Sequence, residues 1–198
     1  KPLYIKKVSV KIFMYGWRAR IGVVLPSRGD SFIYEFYRIV PKGVVLVVEI
    51  IGLFNLTKEE LGAAMLKYRA AARNLAQVGV DTILLSGSPV FQLQGFGSDR
   101  EMIGEVEKET GIPTLTSVTA EVEAMRLLRM KRLAIATPFV EEVNQRSAAW
   151  YREAGFEVLN IKGMGIQKNS EIAQLPFYAS YRIAREVFLE TPGADGVY

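Results

Sequence analysis

Hydrophobic residues follow two alternating patterns along this chain. In one, β-branched and aliphatic residues form short continuous runs, as in strands that are buried on both faces. In the other, apolar side chains recur every three or four positions, as on the buried face of a helix. The runs predict strands at residues 21–25, 44–48, 82–85, 133–136 and 156–161. The alternation predicts an α/β fold, with mostly parallel sheets flanked by helices.

Capping signals predict where several helices begin and end. A capping box at residues 57–60, which begins at Thr57, predicts the start of a helix that ends at Gly79. Thr137 and Pro138 follow a predicted strand, and we expect them to be the cap and the first position of the next helix. That helix runs toward Ala154.

An internal repeat relates the two parts of the chain. Residues 20–26 resemble residues 132–138, and residues 79–84 resemble residues 193–198, at offsets of 112 and 114 residues. Nearly equal offsets predict two similar α/β halves, related by an approximate two-fold axis, whose strand ends face one cleft. Chance similarity between generic strand–helix–strand units is the alternative interpretation.

The repeat also sets the expected domain boundaries. We assign residues 1–19 to a basic N-terminal extension, residues 20–117 to the first half and residues 118–198 to the second. Leu84 aligns with Tyr198, so we expect the second half to be incomplete at its C-terminal end. The counterpart of Gly87 would be the third residue after Tyr198.

Composition narrows the available chemistry. The chain contains neither His nor Cys, which excludes imidazole-based triads, His zinc sites and thiolate nucleophiles within these residues. The net charge is +4, but the first 29 residues hold seven Lys or Arg and no acid, so the body is mildly acidic. Because no nucleic-acid-binding motif accompanies it, we expect the basic segment to be a solubilising extension and predict no nucleic-acid partner.

No hydrophobic stretch predicts a membrane segment or a leader. The apolar stretch near the start is broken by Lys11 and lacks a small-residue cleavage site. The run that begins at Val44 is interrupted by Glu49 and is shorter than the ~20 residues of a membrane helix. We therefore expect a cytoplasmic protein without a membrane partner.

Four loops that follow predicted strands carry groups suited to binding anions. They offer hydroxyls and backbone N–H groups, and Arg28 could pair with a carboxylate through two hydrogen bonds. These loops are residues 26–29, 86–89, 116–119 and 137–139. If they meet in one cleft, they indicate a small acid as ligand. Taken singly, each is more often explained by capping or turn chemistry than by catalysis.

Two pairs of aromatic residues have different predicted roles. Phe91 and Phe96 follow Gly87 in sequence, and we expect them to form an apolar wall beside a substrate. Trp150 and Tyr151 lie on a predicted helix, and we expect them to pack against the sheet rather than contact a ligand.

Several of these segments resemble arylmalonate decarboxylase and the maleate cis-trans isomerases of the aspartate/glutamate racemase superfamily. The matching segments are residues 82–90 (TILLSGSPV), 94–95 (QG), 109–113 (ETGIP) and 132–146 (RLAIATPFVEEVNQR). They occur in the same order as in the family, within a similarity that runs from about residue 20 to residue 198. The resemblance implies two pseudosymmetric α/β halves with the active site between them.

The resemblance also implies a chemistry that needs no cofactor. Members of the superfamily transfer a proton at the carbon next to a carboxylate, through an enediolate-like intermediate held by hydroxyls and backbone amides. Racemases and isomerases use two cysteines, one from each half, whereas the decarboxylase has Gly at the first position. That position is Gly87 here. The resemblance places the second cysteine, the proton donor, three residues past Tyr198.

The chain matches some of the family's site residues and differs from the family at others. Ser88 matches a hydroxyl position of the dioxyanion pocket, but Pro89 replaces a hydroxyl residue and has no N–H. Phe139 stands where the family usually has Tyr, and Arg28 departs from the Asn-bearing loop of the isomerases. The resemblance implies Gly87 and Ser88 as catalytic residues and Pro26, Ser27, Arg28, Pro89, Thr119, Thr137 and Phe139 as substrate-binding residues.

These observations favour a cofactor-independent lyase or isomerase, like arylmalonate decarboxylase, acting on a small carboxylic or dicarboxylic acid. One alternative is a maleate cis-trans isomerase or an Asp/Glu racemase-type enzyme. Another is a non-catalytic protein of the same fold that binds a small acid and has lost donors at Pro89 and Phe139. The habit of the family indicates a monomer or a homodimer.

Overall fold

The computed structural model describes residues 15–55 and 58–198. The predicted basic extension, residues 1–19, therefore lies almost wholly outside the described residues. Thr57, the first residue of the predicted capping box, lies outside them as well.

The first part of the chain forms a four-stranded parallel sheet with helices packed around it. Its strands are β1 (Ala19–Leu25), β2 (Val44–Ile50), β3 (Thr82–Leu85) and β4 (Thr114–Thr116). Its helices are α1 (Asp30–Ile39), α2 (Lys58–Val78), α3 (Ser88–Gln94), α4 (Ser98–Thr110) and α5 (Ser117–Leu127). The order of the strands is β2-β1-β3-β4. All pairs are parallel, which the right-handed strand–helix–strand crossover favours.

The second part of the chain forms a smaller parallel sheet. Its strands are β5 (Arg132–Phe139), β6 (Glu157–Ile166) and β7 (Gly196–Val197), and their order is β6-β5-β7. Its helices are α6 (Glu141–Glu153), α7 (Asn169–Ile172) and α8 (Tyr178–Leu189). Strand β5 thus occupies the place in this sheet that β1 occupies in the first one.

Two aspartates confirm that the internal repeat is structural. The backbone N–H of Arg20 donates to Asp81 Oδ2 at 2.7 Å, and that of Arg132 donates to Asp195 Oδ2 at 2.8 Å. In return, the backbone N–H of each aspartate donates to the carbonyl of its arginine, also at 2.8 Å. The two halves share one topology, so the predicted fold class is confirmed. The boundaries at residues 20–117 and 118–198 stay a prediction.

One continuous hydrophobic core joins the two halves. It includes Val24 and Leu85 from the first sheet and Leu133 and Ile135 from the second, all fully buried. In β1, Gly22 lets α2 approach closely, because a side chain there would meet Leu75 and Val80 at about 3 Å. The two sheets are therefore held in a fixed relation, with the cleft at the carboxyl ends of their strands.

One predicted helix start is wrong. Strand β5 continues through Pro138 to Phe139, and α6 begins only at Glu141, after the extended residue Val140. The Thr137 hydroxyl does not cap the helix, because it donates to the side chain of Asn144 at 2.5 Å. This hydrogen bond ties the end of the strand to the first turns of the helix.

None of the helices in residues 15–55 and 58–198 combines the length and apolar character that crossing a membrane requires.

Candidate active site

A cleft opens where the carboxyl ends of β1, β3 and β5 meet, and three adjoining cavities fill it. The loop cavity, of about 230 Å³, is lined by residues that include Pro26, Ser27, Arg28, Gly87, Pro89 and Phe139. The hydroxyl cavity, of about 270 Å³, is lined by residues that include Ser88, Gln92, Thr137, Phe139, Ser147, Tyr151 and Tyr198. The apolar cavity, of about 350 Å³, is lined by residues that include Met164, Ile172, Leu175, Phe177, Ile183 and Tyr198.

Gly87 lies at the tight turn between β3 and α3, where the loops of the two halves approach each other. Its φ is +115°, and a Cβ there would lie 2.7 Å from Pro26 Cγ and 2.9 Å from the Tyr68 hydroxyl oxygen. Both the backbone conformation and the available space therefore require glycine at this position.

The loop around Gly87 is anchored from the core. The buried Tyr68 donates its hydroxyl hydrogen to the Ser86 carbonyl at 2.5 Å, and the Ser86 N–H donates to the Val24 carbonyl at 2.9 Å. Burial raises the pKa of Tyr68 far above its ordinary value, so the hydroxyl keeps its proton. The loop is thus positioned before any ligand binds.

Arg28 lies in the loop cavity, as predicted, but it already has a partner. Its guanidinium forms an ion pair with Asp30, in which Nε donates to Oδ1 at 3.1 Å. This hydrogen-bonded pair raises the pKa of Arg28 and lowers the pKa of Asp30. Both side chains are about half exposed, so a ligand carboxylate would compete with Asp30 for the guanidinium.

Ser88 is hydrogen-bonded to a carboxylate, that of Glu121, which was not among the residues predicted from the sequence. Its hydroxyl donates to Glu121 Oε1 at 2.6 Å and lies 3.0 Å from Ser117 Oγ. Tyr151 donates its hydroxyl hydrogen to the other oxygen of Glu121, at 2.9 Å. Ser117 and Glu121 are one turn apart on α5, a helix that begins within the predicted loop 116–119. That spacing was the one signal in the sequence that could have identified Glu121.

Two tyrosines, Tyr151 and Tyr198, complete the cluster of polar side chains around Glu121. Tyr151 was expected only to pack against the sheet, but it lines the hydroxyl cavity next to Tyr198, with ring centroids 5.3 Å apart. Burial, and then its neighbours Tyr198 and Glu121, raise the pKa of Tyr151. Burial and the charge of Glu121 likewise raise the pKa of Tyr198. Both phenols stay protonated at neutral pH.

Thr137 is brought into the cleft, whereas Thr119 is not. The Thr119 hydroxyl donates to the buried Asp99 at 2.9 Å, and its backbone N–H donates to Thr116 Oγ1 at 3.1 Å. These contacts hold Thr119 beside a separate cavity of about 30 Å³ that also touches Trp150. Thr119 therefore serves the start of α5, away from the other predicted site residues.

The predicted apolar wall of Phe91 and Phe96 is wrong. Phe91 is fully buried against Tyr68, with ring centroids 5.4 Å apart. Phe96 is half exposed and packs on Trp150, outside the cleft. Trp150 itself is buried, as predicted. The apolar wall of the cleft comes instead from Phe139 and from the segment around α7, including Ile172.

In the described part of the chain, no three acidic side chains converge in a way that could hold a metal ion. The polar groups that line the three cavities include hydroxyls, amides, the guanidinium of Arg28 and the carboxylate of Glu35, and Ser88 and Tyr151 connect the hydroxyl cavity to Glu121. These groups can bind and orient an acid and hold protons near it.

Comparisons with known proteins agree with this fold and cleft. The family model of arylmalonate decarboxylase matches residues 21–198. The arylmalonate decarboxylase of Bordetella bronchiseptica is 24% identical over 177 residues, covering 89% of this chain and 73% of that protein. The maleate isomerase of Pseudomonas putida is 25% identical over 167 residues, covering 78% of this chain and 67% of that protein.

A solved structure of arylmalonate decarboxylase has a similar fold. A double mutant of arylmalonate decarboxylase in its liganded form has a TM-score of 0.83 and 23% sequence identity, covering 90% of this chain and 76% of that one. The resemblance predicted from the sequence is confirmed. Since one family model spans both sheets and the cleft between them, the chain belongs to the arylmalonate decarboxylase family.

Proposed function

We propose that this chain is a cofactor-independent decarboxylase that acts on a small malonate-type dicarboxylic acid with an apolar substituent. The observation that carries the proposal is Gly87, at the edge of the cleft in the position where the two-cysteine members of the superfamily have their first cysteine. A side chain there would collide with Pro26 and Tyr68. Two-base racemisation and attack on a double bond both need that side chain, whereas decarboxylation does not.

The cleft offers a distinct place for each part of such an acid. Arg28 and the buried hydroxyl of Ser27 can hold one carboxylate in the loop cavity. The apolar substituent fits the apolar cavity, next to Ile172 and Phe177. Ser88 and Thr137 lie between these regions and line the hydroxyl cavity. Pro26, Pro89 and Phe139 act as walls.

The proposed reaction breaks one carbon–carbon bond. The electron pair of the bond to the departing carboxylate stays on the substrate and forms an enediolate, and carbon dioxide leaves. The central carbon then takes up one proton and gives the monocarboxylic acid. We propose that this proton comes from the cysteine that the resemblance implies three residues after Tyr198. The position of Tyr198 on the wall of the hydroxyl cavity supports a donor near this point.

A non-catalytic acid-binding protein is the second candidate. It is favoured by the hydrogen bond from Ser88 to Glu121, which directs that hydroxyl hydrogen away from the cavity. Pro89 and Phe139 also provide no hydroxyl, and losing one oxyanion donor typically costs roughly 2.7–4 kcal/mol of transition-state stabilisation. For either candidate we propose a small carboxylic acid as partner, a cytoplasmic location, and a monomer or a homodimer.

Turnover of phenylmalonate by the full-length protein tests the proposal. We expect phenylacetate and carbon dioxide from the wild type, and a loss of roughly ten-fold or more in kcat/KM for Ser88→Ala. Ser98→Ala is the matched control, because Ser98 donates to the Phe91 carbonyl outside the cleft, and its activity should stay near wild type. Phenylmalonate that binds but is not converted would support the acid-binding protein instead.

A further inference from the structure

Two helices, one from each half, line the hydroxyl cavity with polar side chains. Ser88 and Gln92 are one turn apart on α3, and Ser147 and Tyr151 are one turn apart on α6. Residues four positions apart lie on the same face of a helix, so each helix presents one such pair to the cavity. The Ser147 hydroxyl donates to Gln92 Oε1 at 2.7 Å and thereby joins the two helices. Gln92 was not among the site residues predicted from the sequence.

The side chain of Gln92 carries a buried hydrogen-bond donor that the protein does not use. Only 6% of the residue is exposed. Within residues 15–55 and 58–198, its side chain makes one hydrogen bond, through Oε1, and no acceptor pairs with Nε2. The described polar atoms that lack a partner and are also sealed from solvent do not include this nitrogen. It therefore borders open space, and the open space beside Gln92 is the hydroxyl cavity.

The hydroxyls of this cavity are already engaged with one another or with neighbouring side chains. Three of them surround the carboxylate of Glu121 and hydrogen-bond with it or among themselves: Ser88, Tyr151 and Tyr198. The hydroxyl of Thr137 donates to an asparagine on α6. A buried donor without an acceptor is unfavourable, and a bound acceptor relieves this cost. The unused amide is thus a donor that a ligand can engage without breaking a hydrogen bond of the protein.

We propose that Gln92 Nε2 donates a hydrogen bond to a ligand carboxylate in the hydroxyl cavity, the one that stays on the product. The hydroxyl cavity shares Thr137 and Tyr198 with the apolar cavity, so an acid whose apolar substituent fills one can place a carboxylate in the other. It shares Phe139 with the loop cavity, where Arg28 can hold the second carboxylate. This inference rests on the proposed function, because it assumes that the cleft binds an acid.

An amide donor at this place assists the reaction as well as binding. When carbon dioxide leaves, the remaining carboxylate becomes an enediolate, whose oxygens carry more negative charge. A hydrogen bond to these oxygens is therefore stronger in the transition state than in the bound acid, and it lowers the barrier. Pro89 and Phe139 supply no hydroxyl to the cleft, and Gln92 supplies a donor from a different position.

Gln92→Leu removes the amide without leaving its partner unpaired. The Ser147 hydroxyl also lies 3.0 Å from the Val143 carbonyl oxygen, to which it can donate instead. With phenylmalonate and the full-length protein, we expect kcat/KM to fall roughly ten-fold or more, because a hydrogen bond to a charged oxygen is lost. Most of this loss should lie in kcat, since the hydrogen bond strengthens in the transition state.

Two control variants separate ligand binding from a structural role of Gln92. Ser147→Ala breaks the hydrogen bond between α3 and α6 but keeps the amide, so it should lose less activity than Gln92→Leu. Gln94→Leu makes the same chemical change at an exposed position of α3 and should stay near the wild type. The midpoint of urea unfolding, measured for each variant, shows whether the fold is retained.

Nitrogen–proton NMR of the wild-type protein observes the amide directly. The side-chain N–H signals of Gln92 are assigned through its backbone by triple-resonance experiments, so no variant is needed. Saturation with phenylacetate should move at least one of these proton signals downfield, because a hydrogen bond to a carboxylate oxygen withdraws electron density from the hydrogen. The side-chain signals of Gln94 should stay in place.

The outcomes separate this inference from the proposed function. Conversion of phenylmalonate by the wild type, together with a Gln92→Leu variant that loses no more activity than Ser147→Ala, overturns the role of Gln92 and leaves the decarboxylase proposal standing. Tighter binding of phenylacetate by Gln92→Leu also overturns it, because Oε1 and not Nε2 would then face the ligand. A wild type that neither converts phenylmalonate nor binds phenylacetate overturns both proposals. The amide signal decides the inference even if phenylmalonate is bound without being converted.

Discussion

The carboxylate of Asp195 binds Arg132 at three points, two of them on the side chain of the arginine. Asp195 Oδ2 accepts the backbone N–H of Arg132 at 2.8 Å, while Oδ1 accepts from Nη2 at 2.8 Å and from Nε at 3.3 Å. Asp81 makes the corresponding backbone bond to Arg20 in the first half. Asp81 and Asp195 thus hold the first residues of β1 and β5, the corresponding strands of the two halves, in the same way.

Asp195 should stabilise the protein through backbone bonds as well as through its ion pair. Asp195→Ala removes the backbone bonds to Lys131 and Arg132 together with the ion pair, whereas Asp195→Asn keeps an oxygen that can accept the backbone N–H groups. We expect the midpoint of thermal unfolding to fall for both variants and to fall further for Asp195→Ala. Equal shifts would show that the backbone bonds add nothing.

The contribution of Asp195 should disappear in acid. Its hydrogen bonds from Arg132 and Lys131 hold the pKa of the Asp195 carboxyl well below its ordinary value. A lowered folded-state pKa stabilises the protein above the unfolded pKa of about 4, and this stabilisation is lost as the pH falls through the folded pKa. In urea unfolding, the difference between wild type and Asp195→Ala should therefore shrink between about pH 6 and about pH 3. A stability difference that stays constant over this pH range would show that the Asp195 carboxylate does not stabilise the fold through its charge.

Thr137 should stabilise the end of β5 through its hydroxyl. Thr137→Val keeps the shape of the side chain, but it leaves the buried Asn144 oxygen without its donor and the Phe139 N–H without its acceptor. We expect a loss of about 1–3 kcal/mol in the free energy of unfolding, measured in urea. Thr137→Ser retains the hydroxyl and should lose less. A larger loss for Thr137→Ser than for Thr137→Val would mean that packing of the methyl group, and not the hydrogen bonds, matters here.

Gly87→Ala should damage the cleft more than a matched change at Gly95, at the other end of α3. Both glycines have φ above +100°, but a Cβ at Gly95 meets nothing within 4 Å, while at Gly87 it meets Pro26 and Tyr68. We expect Gly95→Ala to cost about 1–3 kcal/mol of stability by backbone strain alone. Gly87→Ala should cost more and should also weaken phenylacetate binding. Equal binding by both variants would show that the cleft tolerates a side chain at Gly87.

Alkaline pH should destabilise the protein through its buried tyrosines. Burial raises the pKa of Tyr68, Tyr151 and Tyr198 above the value of about 10 that they have in the unfolded chain. A raised folded-state pKa stabilises below the unfolded pKa, and that stabilisation is lost as the pH rises from there through the folded pKa. Tyrosinate absorbance should show at least three of the nine tyrosines ionising only as the protein unfolds. Smooth titration of all nine in the folded protein would contradict it.

Local sequence patterns were enough to predict the framework. The parallel strands follow from short apolar runs, and the repeat from the matched Gly-x-Asp segments ending at Asp81 and Asp195, because both signals lie within a few neighbouring residues. The loop that contains Gly87 was also predictable, since a tight turn after a buried strand has a characteristic composition, whereas the role of Gly87 in the site came from the family resemblance.

The polar contacts inside the cleft were not predictable in the same way. Ser88 and Glu121 are 33 residues apart, and Tyr151 reaches Glu121 across a further 30. The packing of the helices on the sheets determines which helix faces contact each other, and the local spacing of residues in the sequence does not encode these contacts. The same packing places Phe91 in the core and lets Thr119 donate a hydrogen bond to Asp99.

Proton NMR of the full-length protein in D₂O, with phenylmalonate, maleate and aspartate supplied separately, distinguishes decarboxylation from isomerisation and racemisation. We expect phenylacetate that carries one solvent deuteron at the carbon next to its carboxylate, because that carbon is protonated after carbon dioxide leaves. We expect no fumarate from maleate and no exchange at the α-carbon of aspartate, because Gly87 supplies no second base. Fumarate, α-carbon exchange, or unchanged phenylmalonate would contradict the assignment of this cleft as a decarboxylase site.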